Sequence, residues 1–173
     1  MKKFSFKMFV RFSSRIRRLF EGEVKFDGMM NNSSDILIIL PEDPELLSSG
    51  VNFAIELRGA RKNVTVLIPG TVNYNELVTG GIRRIDYGKD EFGLFRLPSG
   101  KFRKKLSGTS FDIVIDLNLA DYSSLSLLTA YPQAKYRVGF RKLYGEKFYN
   151  LMFVPGETAG EKYTELLKLI INL

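Results

Sequence analysis

The 173-residue chain contains no cysteine and no histidine. Without cysteine, neither a disulfide framework nor a thiolate metal site can form. Without histidine, Ser-His-Asp and Cys-His nucleophilic schemes are excluded, along with histidine-ligated zinc and a histidine general base. Acid–base chemistry is left to Asp, Glu, Lys or Tyr. Long hydrophobic runs are also missing. In the opening stretch MKKFSFKMFVRFSSRIRRLF, basic residues interrupt every apolar segment and no small-residue cleavage site follows. That excludes a secretory signal and a membrane span. No G-x-G-x-x-G follows the first strong apolar run, ILIIL at 36–40, so a dinucleotide pyrophosphate finds no close-approach glycine turn there.

What is present suits a folded domain. Apolar residues make up 45% of the chain, and its length allows one domain with a full core but not two ordinary ones. The net charge of +7 is unevenly spread. Residues 1–25 hold eight Lys/Arg against two Glu, and the other 148 residues carry only +1. A near-neutral body is a poor electrostatic match for a phosphate backbone, which argues against nucleic acid as the partner. On a helix, Met8, Phe9, Phe12, Ile16, Leu19 and Phe20 share one face, and Lys7, Arg11, Arg15 and Arg18 lie opposite. Two readings fit. One is a basic amphipathic helix on an anionic membrane surface, with Phe9 and Phe12 as apolar anchors. The other is a helix packed on the domain with its charges in water. No acid precedes Glu21, which leans toward the membrane.

From residue 35 onward, strand and helix signals alternate. Residues 1–34 therefore read as a basic helix and polar linker, and 35–173 as a Rossmann-like α/β domain, a mainly parallel sheet flanked by helices. Ile-rich 35–40 and NVTVLIPG (63–70) are strands covered on both faces. Between them, Pro44 and Glu45 suit a helix first turn, and a 3.6-residue face through Leu47, Val51, Ala54 and Ile55 runs to Gly59. A short helix is expected at 72–79, strands at 82–88, 111–118 and 136–140, and one or two helical turns around Phe102 and Leu106. Residues 121–130 predict a helix capped by Asp121 or Ser123, and the chain closes on a helix with Tyr163, Leu166, Leu167 and Ile170 on one side.

GETAGEKY (156–163) is superficially similar to a P-loop. Its glycine spacing is one residue short, and tyrosine stands where a Ser/Thr must reach magnesium. No metal or cofactor site is expected. Glu42, Asp43 and Glu45 crowd the end of the first strand and would repel phosphate. Asp116 and Asp121 lie at the end of a central strand. Acids from two loops facing one crevice can do acid–base work, although loop acids more often cap helices or sit in solvent.

The order ILII–acidic loop–helix, NVTVLIPG, FDIVIDLN, AKYRVGFRKLYGEKFYN and GEKYTELLKLI resembles the N-terminal domain of the glycosyltransferase family containing the lipopolysaccharide heptosyltransferases. The likeness spans residues 35–173. It implies half of a GT-B arrangement, in which an N-terminal domain holds the acceptor and supplies an acidic base while a C-terminal one binds the sugar nucleotide. Glu45 is then the candidate catalytic base, and Glu42, Asp43, Asp116, Asn118, Asp121 and Arg141 the candidate crevice. The chain departs from the pattern twice. The nucleotide-sugar half is absent from it. The first loop, R-x-D-x-x-G-D in the family, is here L-P-E-D-P-E, whose prolines remove backbone donors. The resemblance therefore implies a degenerate member, not catalytic alone, on the cytoplasmic side and peripheral to the inner membrane. Its expected partners are an anionic membrane surface or a protein supplying the nucleotide-sugar domain. A nucleic-acid binder using the basic arm and KFRKK (101–105) is the alternative.

Overall fold

The computed structural model describes residues 3–12, 24–72, 75–154 and 159–173. Six parallel strands form one sheet in the order β3-β2-β1-β4-β5-β6: β1 Asp35–Ile39, β2 Asn63–Pro69, β3 Arg83–Tyr87, β4 Ser110–Asp116, β5 Gln133–Phe140 and β6 Leu151–Phe153. The expected α/β Rossmann-like fold is the fold observed. Strand β1 lies between β2 and β4, with Ile36 beside Ile113 and Ile39 beside Asp116. The strand order reverses between β1 and β4, and in open α/β sheets ligands settle outside the carboxyl ends of strands at such a switch.

Helices cover both faces because each central strand is apolar on both sides. Ile36, Ile38, Val64, Val66, Ile113 and Ile115 pack under α2 (Pro44–Gly59) and α5 (Ala159–Ile171). Their alternate neighbours Leu37, Ile39, Leu67 and Val114 pack under α4 (Gly100–Ser107) and the turns before Ala130. Helix α2 has the expected start: Pro44 opens it, and the Asp43 carboxylate accepts from the Glu45 N–H at 3.0 Å. A short α3 (Asn75–Thr79) links β2 to β3. Two 3-10 turns (η1, Lys89–Glu91; η2, Leu94–Arg96) precede α4, the helical turns expected around Phe102 and Leu106, where Ser99 caps and both residues are buried.

Three expectations are corrected. Residues 121–130 form no α-helix. They make turns followed by a 3-10 helix, η3 (Ser126–Ala130), fully buried over its length. Ser123 bonds locally to the Leu125 N–H at 3.2 Å instead of capping a longer helix. The polar stretch before β1 is more than a linker, since Met29 and Met30 are buried in the main core. Lys62 Nζ donates to the carbonyls of Met30 and Ser33 at 2.6 and 2.7 Å and ties the segment down. An apolar pair this short has no period to detect.

The third correction concerns the first helix, α1 (Lys3–Phe12). Among its described side chains Phe6 and Val10 are buried, Phe9 is half-buried and Met8 is exposed; that of Phe12 lies outside the described ones. The apolar side is thus rotated away from Met8. Phe6 sits among Leu127, Ala130, Phe148 and Tyr149, and its ring meets Tyr122 edge-on with centroids 5.6 Å apart. Lys7 and Arg11 remain exposed. Arg15, Arg18, Ile16, Leu19 and Phe20 lie outside the described residues. No helix among the described residues is long and apolar enough to cross a membrane.

Candidate functional site

Asp116 ends β4 at the switch point, and burial alone would favour its neutral form. Four neighbours oppose that. Lys142 Nζ donates to its Oδ2 at 3.0 Å, and the Tyr149 hydroxyl donates to the same oxygen. The Asn118 N–H and side-chain amide donate to Oδ1 at 2.9 and 2.7 Å. Ser126 Oγ, which accepts from Lys142 at 2.7 Å, completes the ring of partners. Burial raises the Asp116 pKa, but the Lys142 charge and the bonds from Ser126, Tyr149 and Asn118 outweigh it and hold the carboxyl below its ordinary range. Tyr149 moves the other way. Burial and the Asp116 charge push its hydroxyl well above the usual phenol value.

The pair is dry, with the Lys142 side chain 3% exposed and Asp116 at 0%. Lys142 also donates to the Asn118 carbonyl at 2.6 Å, so its ammonium has three acceptors and its donors are all used. Charges removed from water are tolerable when satisfied in this way.

Asn118 carries the closure across the switch point. Its side-chain oxygen accepts from the Glu42 N–H at 2.8 Å, and its amide donates to the Leu40 carbonyl at 3.2 Å. The loop after β1 is therefore stitched to the loop after β4 where a ligand would otherwise lie between them. From α5, Tyr163 donates to the Leu117 carbonyl at 2.8 Å, and burial followed by the charges of Asp116 and Asp43 raises its hydroxyl pKa. The N-terminus of α2, an anion site by its dipole, already holds the carboxylate of Asp43.

The residues singled out from sequence divide sharply. Asp116, Asn118 and the Glu42 backbone meet at the switch point. The Glu42 side chain turns away to pair with Arg96. Asp43 and Glu45 are exposed in the first turn of α2. Asp121 is exposed and accepts from the Leu143 N–H at 2.9 Å, apart from Asp116. Arg141 is exposed as well, and its neighbour Lys142 takes the inward place. Lys142, Tyr149 and Ser126 escaped sequence reasoning, although the first two lie inside the RKLYGEKFYN stretch that carries the family resemblance.

The other resemblance phrases serve the same structure. Gly139 in RVGF faces the Tyr149 ring so closely that an added Cβ would stand 2.6 Å from it. Asn150 accepts from the Arg137 N–H at 2.8 Å and donates to the Lys135 carbonyl at 2.9 Å, clamping β5. Arg137 is itself buried, donating to the carbonyls of Thr129, Pro132 and Ala134.

A groove of about 340 Å³ runs between α2 and α5, lined by Ser49, Asn52, Phe53, Glu56, Tyr163 and Leu167, with no concentration of reactive groups. No cluster of acidic side chains fit to hold a metal ion occurs among the described residues. Comparison with known protein families, with characterised proteins and with solved structures finds no match to this chain.

Proposed function

We propose that this chain is a glycosyltransferase-like domain of the heptosyltransferase type that binds a partner instead of catalysing transfer by itself, acting at the inner face of a membrane. The observation that carries this reading is the self-filled switch point. The place where such a fold receives its ligand is occupied by Asp116, Lys142, Tyr149 and Asn118, all satisfied by one another. Asp116, Asn118 and Tyr149 fall on the phrases FDIVIDLN and FYN, which supports common descent, while Lys142, which lies between the matched phrases, closes the site. Glycosyl transfer needs donor and acceptor held together, an advantage of roughly 7–11 kcal/mol when well oriented, and here the two loops that would flank them are hydrogen-bonded to each other through Asn118.

The test is direct. Purified full-length protein is expected neither to hydrolyse nor to transfer from nucleotide-heptose donors, and calorimetry is expected to show no nucleotide binding. Clear turnover by the chain alone would sink the proposal. A second reading, a transferase completed by a partner's nucleotide-sugar domain, draws on Asp43 and Glu45, which stand exposed at the rim. In that case activity appears only on mixing with the partner, and Glu45→Gln abolishes it by keeping the shape and removing the base.

A further inference from the structure

We infer that α1 and α4 together form a docking face for an anionic bilayer, with Phe6 and Val10 of α1 committed to the protein and its cations, beside Met8, turned toward lipid. This rests on the membrane-peripheral part of the function proposed above and names the surface that performs it. An isolated amphipathic helix would lay its apolar side in the acyl boundary. Here Phe6 and Val10 are buried against η3 and Phe148, so that side is already used. What α1 presents outward is Lys7, Met8 and Arg11, while Lys3, also exposed, holds its ammonium over the Tyr122 ring, 5.6 Å from the centroid.

The docked position brings a second basic element alongside. The Arg103 guanidinium lies over the Phe9 ring, 5.9 Å from its centroid, and Phe9 also packs against the cluster holding Phe102 and Leu106. Helix α4, which also carries the exposed Lys101, Lys104 and Lys105, is thereby held next to α1. Nearby acids are partly engaged: Glu42 by Arg96, and Glu91 by the Gly88 N–H at 2.8 Å. Asp90 and Asp121 are exposed acids of the adjoining segments. Two apolar side chains stand out from these elements, Met8 at 45% and Leu94 at 77% exposed. Leu94 belongs to η2, whose following residue Leu97 packs on the α1 cluster.

Cations flanked by isolated aliphatic side chains suit a headgroup layer with shallow apolar contact. A single-stranded nucleic acid asks for exposed aromatic platforms. None is found among the exposed large hydrophobic side chains of the described residues.

Full-length protein would be co-sedimented with phosphatidylcholine vesicles containing about one-third phosphatidylserine, and with phosphatidylcholine alone. Binding is expected only to the anionic vesicles at about 0.05 M salt, and to be lost at roughly 0.5 M as the screening length shrinks. Because each cation near such a surface is worth roughly fivefold, K7E/R11E and K101E/K104E should each weaken binding by on the order of tenfold or more. Leu94→Ser should weaken it only severalfold. Unchanged thermal unfolding checks that these surface variants remain folded.

Wild-type protein that ignores anionic vesicles overturns the inference. So does K101E/K104E binding like wild type, which would leave α1 acting alone, or salt-insensitive binding, which would mean that α1 undocks and inserts its apolar side. An RNA oligonucleotide that displaces the protein from vesicles would assign the face to nucleic acid. Vesicle binding combined with donor turnover would keep this face and discard the non-catalytic reading.

Discussion

Two strand ends meet at the switch point, and they treat charge in opposite ways. After β1, Glu42, Asp43 and Glu45 keep their carboxylates toward water: Glu42 pairs with an exposed arginine, and Asp43 caps the helix that follows. After β4, Asp116 is sealed from water and bound by Lys142, Tyr149 and Asn118. In the sequence these are similar objects, acids at the ends of apolar strands. Their energetic weights differ greatly. A solvated acid exchanges one set of water contacts for another at little cost, whereas a dry one commits every neighbour to satisfying it.

The largest test of this contrast is Lys142→Met, which leaves the Asp116 carboxylate buried without its counter-charge. A loss of about 3–5 kcal/mol in denaturant unfolding is expected, as for other broken buried pairs. The pH dependence has a definite sign. The folded carboxyl of Asp116 is held below its unfolded value, so its contribution is present above the ordinary carboxylate range and is lost as pH falls through the folded pKa. In Lys142→Met the lowering charge is gone, and this acid-side loss should diminish. Equal acid sensitivity in the two proteins would contradict the assigned cause. Tyr149, raised in the fold, adds stability that is complete below the usual phenol pKa and declines as pH rises beyond it.

Gly139→Ala comes next. Its Cβ would press on the Tyr149 ring at 2.6 Å, and overpacking of this kind costs about 1–3 kcal/mol. If the cause is the ring, Tyr149→Ala should absorb part of the penalty, and a double-mutant cycle measures the coupling. Two additive substitutions would show that the close approach carries no weight.

On the other side of the comparison effects shrink. Gly50, inside α2, faces Pro41 with only 2.7 Å from a hypothetical Cβ to Cδ. Alanine would gain roughly 0.5–1 kcal/mol of helix propensity and lose more by contact with a rigid ring, so a net loss of about 1 kcal/mol is expected in thermal unfolding. Glu45→Gln, at the exposed rim, should move stability by no more than about 0.5 kcal/mol. A larger loss there would mean that the rim acids have a structural task that the geometry does not reveal.

The fold was legible because its signals are local and strong. Ile-rich β1 and the NVTVLIP stretch of β2 read as doubly covered strands from composition alone, and Pro44-Glu45 marks a helix start within two residues. Strand β6, three residues long, gave no such signal, and the buried pair Met29–Met30 sat in a polar setting. The site was half legible. Asp116 could be named from its position at the end of a central strand and Asn118 from the resemblance, but Arg141 was chosen where Lys142 does the work. Adjacent residues in a loop have no periodicity to say which one turns inward.

The sequence by itself determined the class of this protein: a parallel sheet with helices on both faces, no histidine or cysteine chemistry, and positive charge gathered at one end. Those follow from composition and period, which every stretch of chain carries with it. Tertiary structure decided the rest. Whether the apolar side of α1 is buried in lipid or on its own domain depends on an apolar cluster of Leu127, Ala130, Phe148 and Tyr149, residues more than a hundred positions away. Whether Asp116 faces a ligand or an internal lysine depends on the path of the chain after β5. Burial and charge pairing are properties of what comes together in space, and chain order alone does not encode that locally.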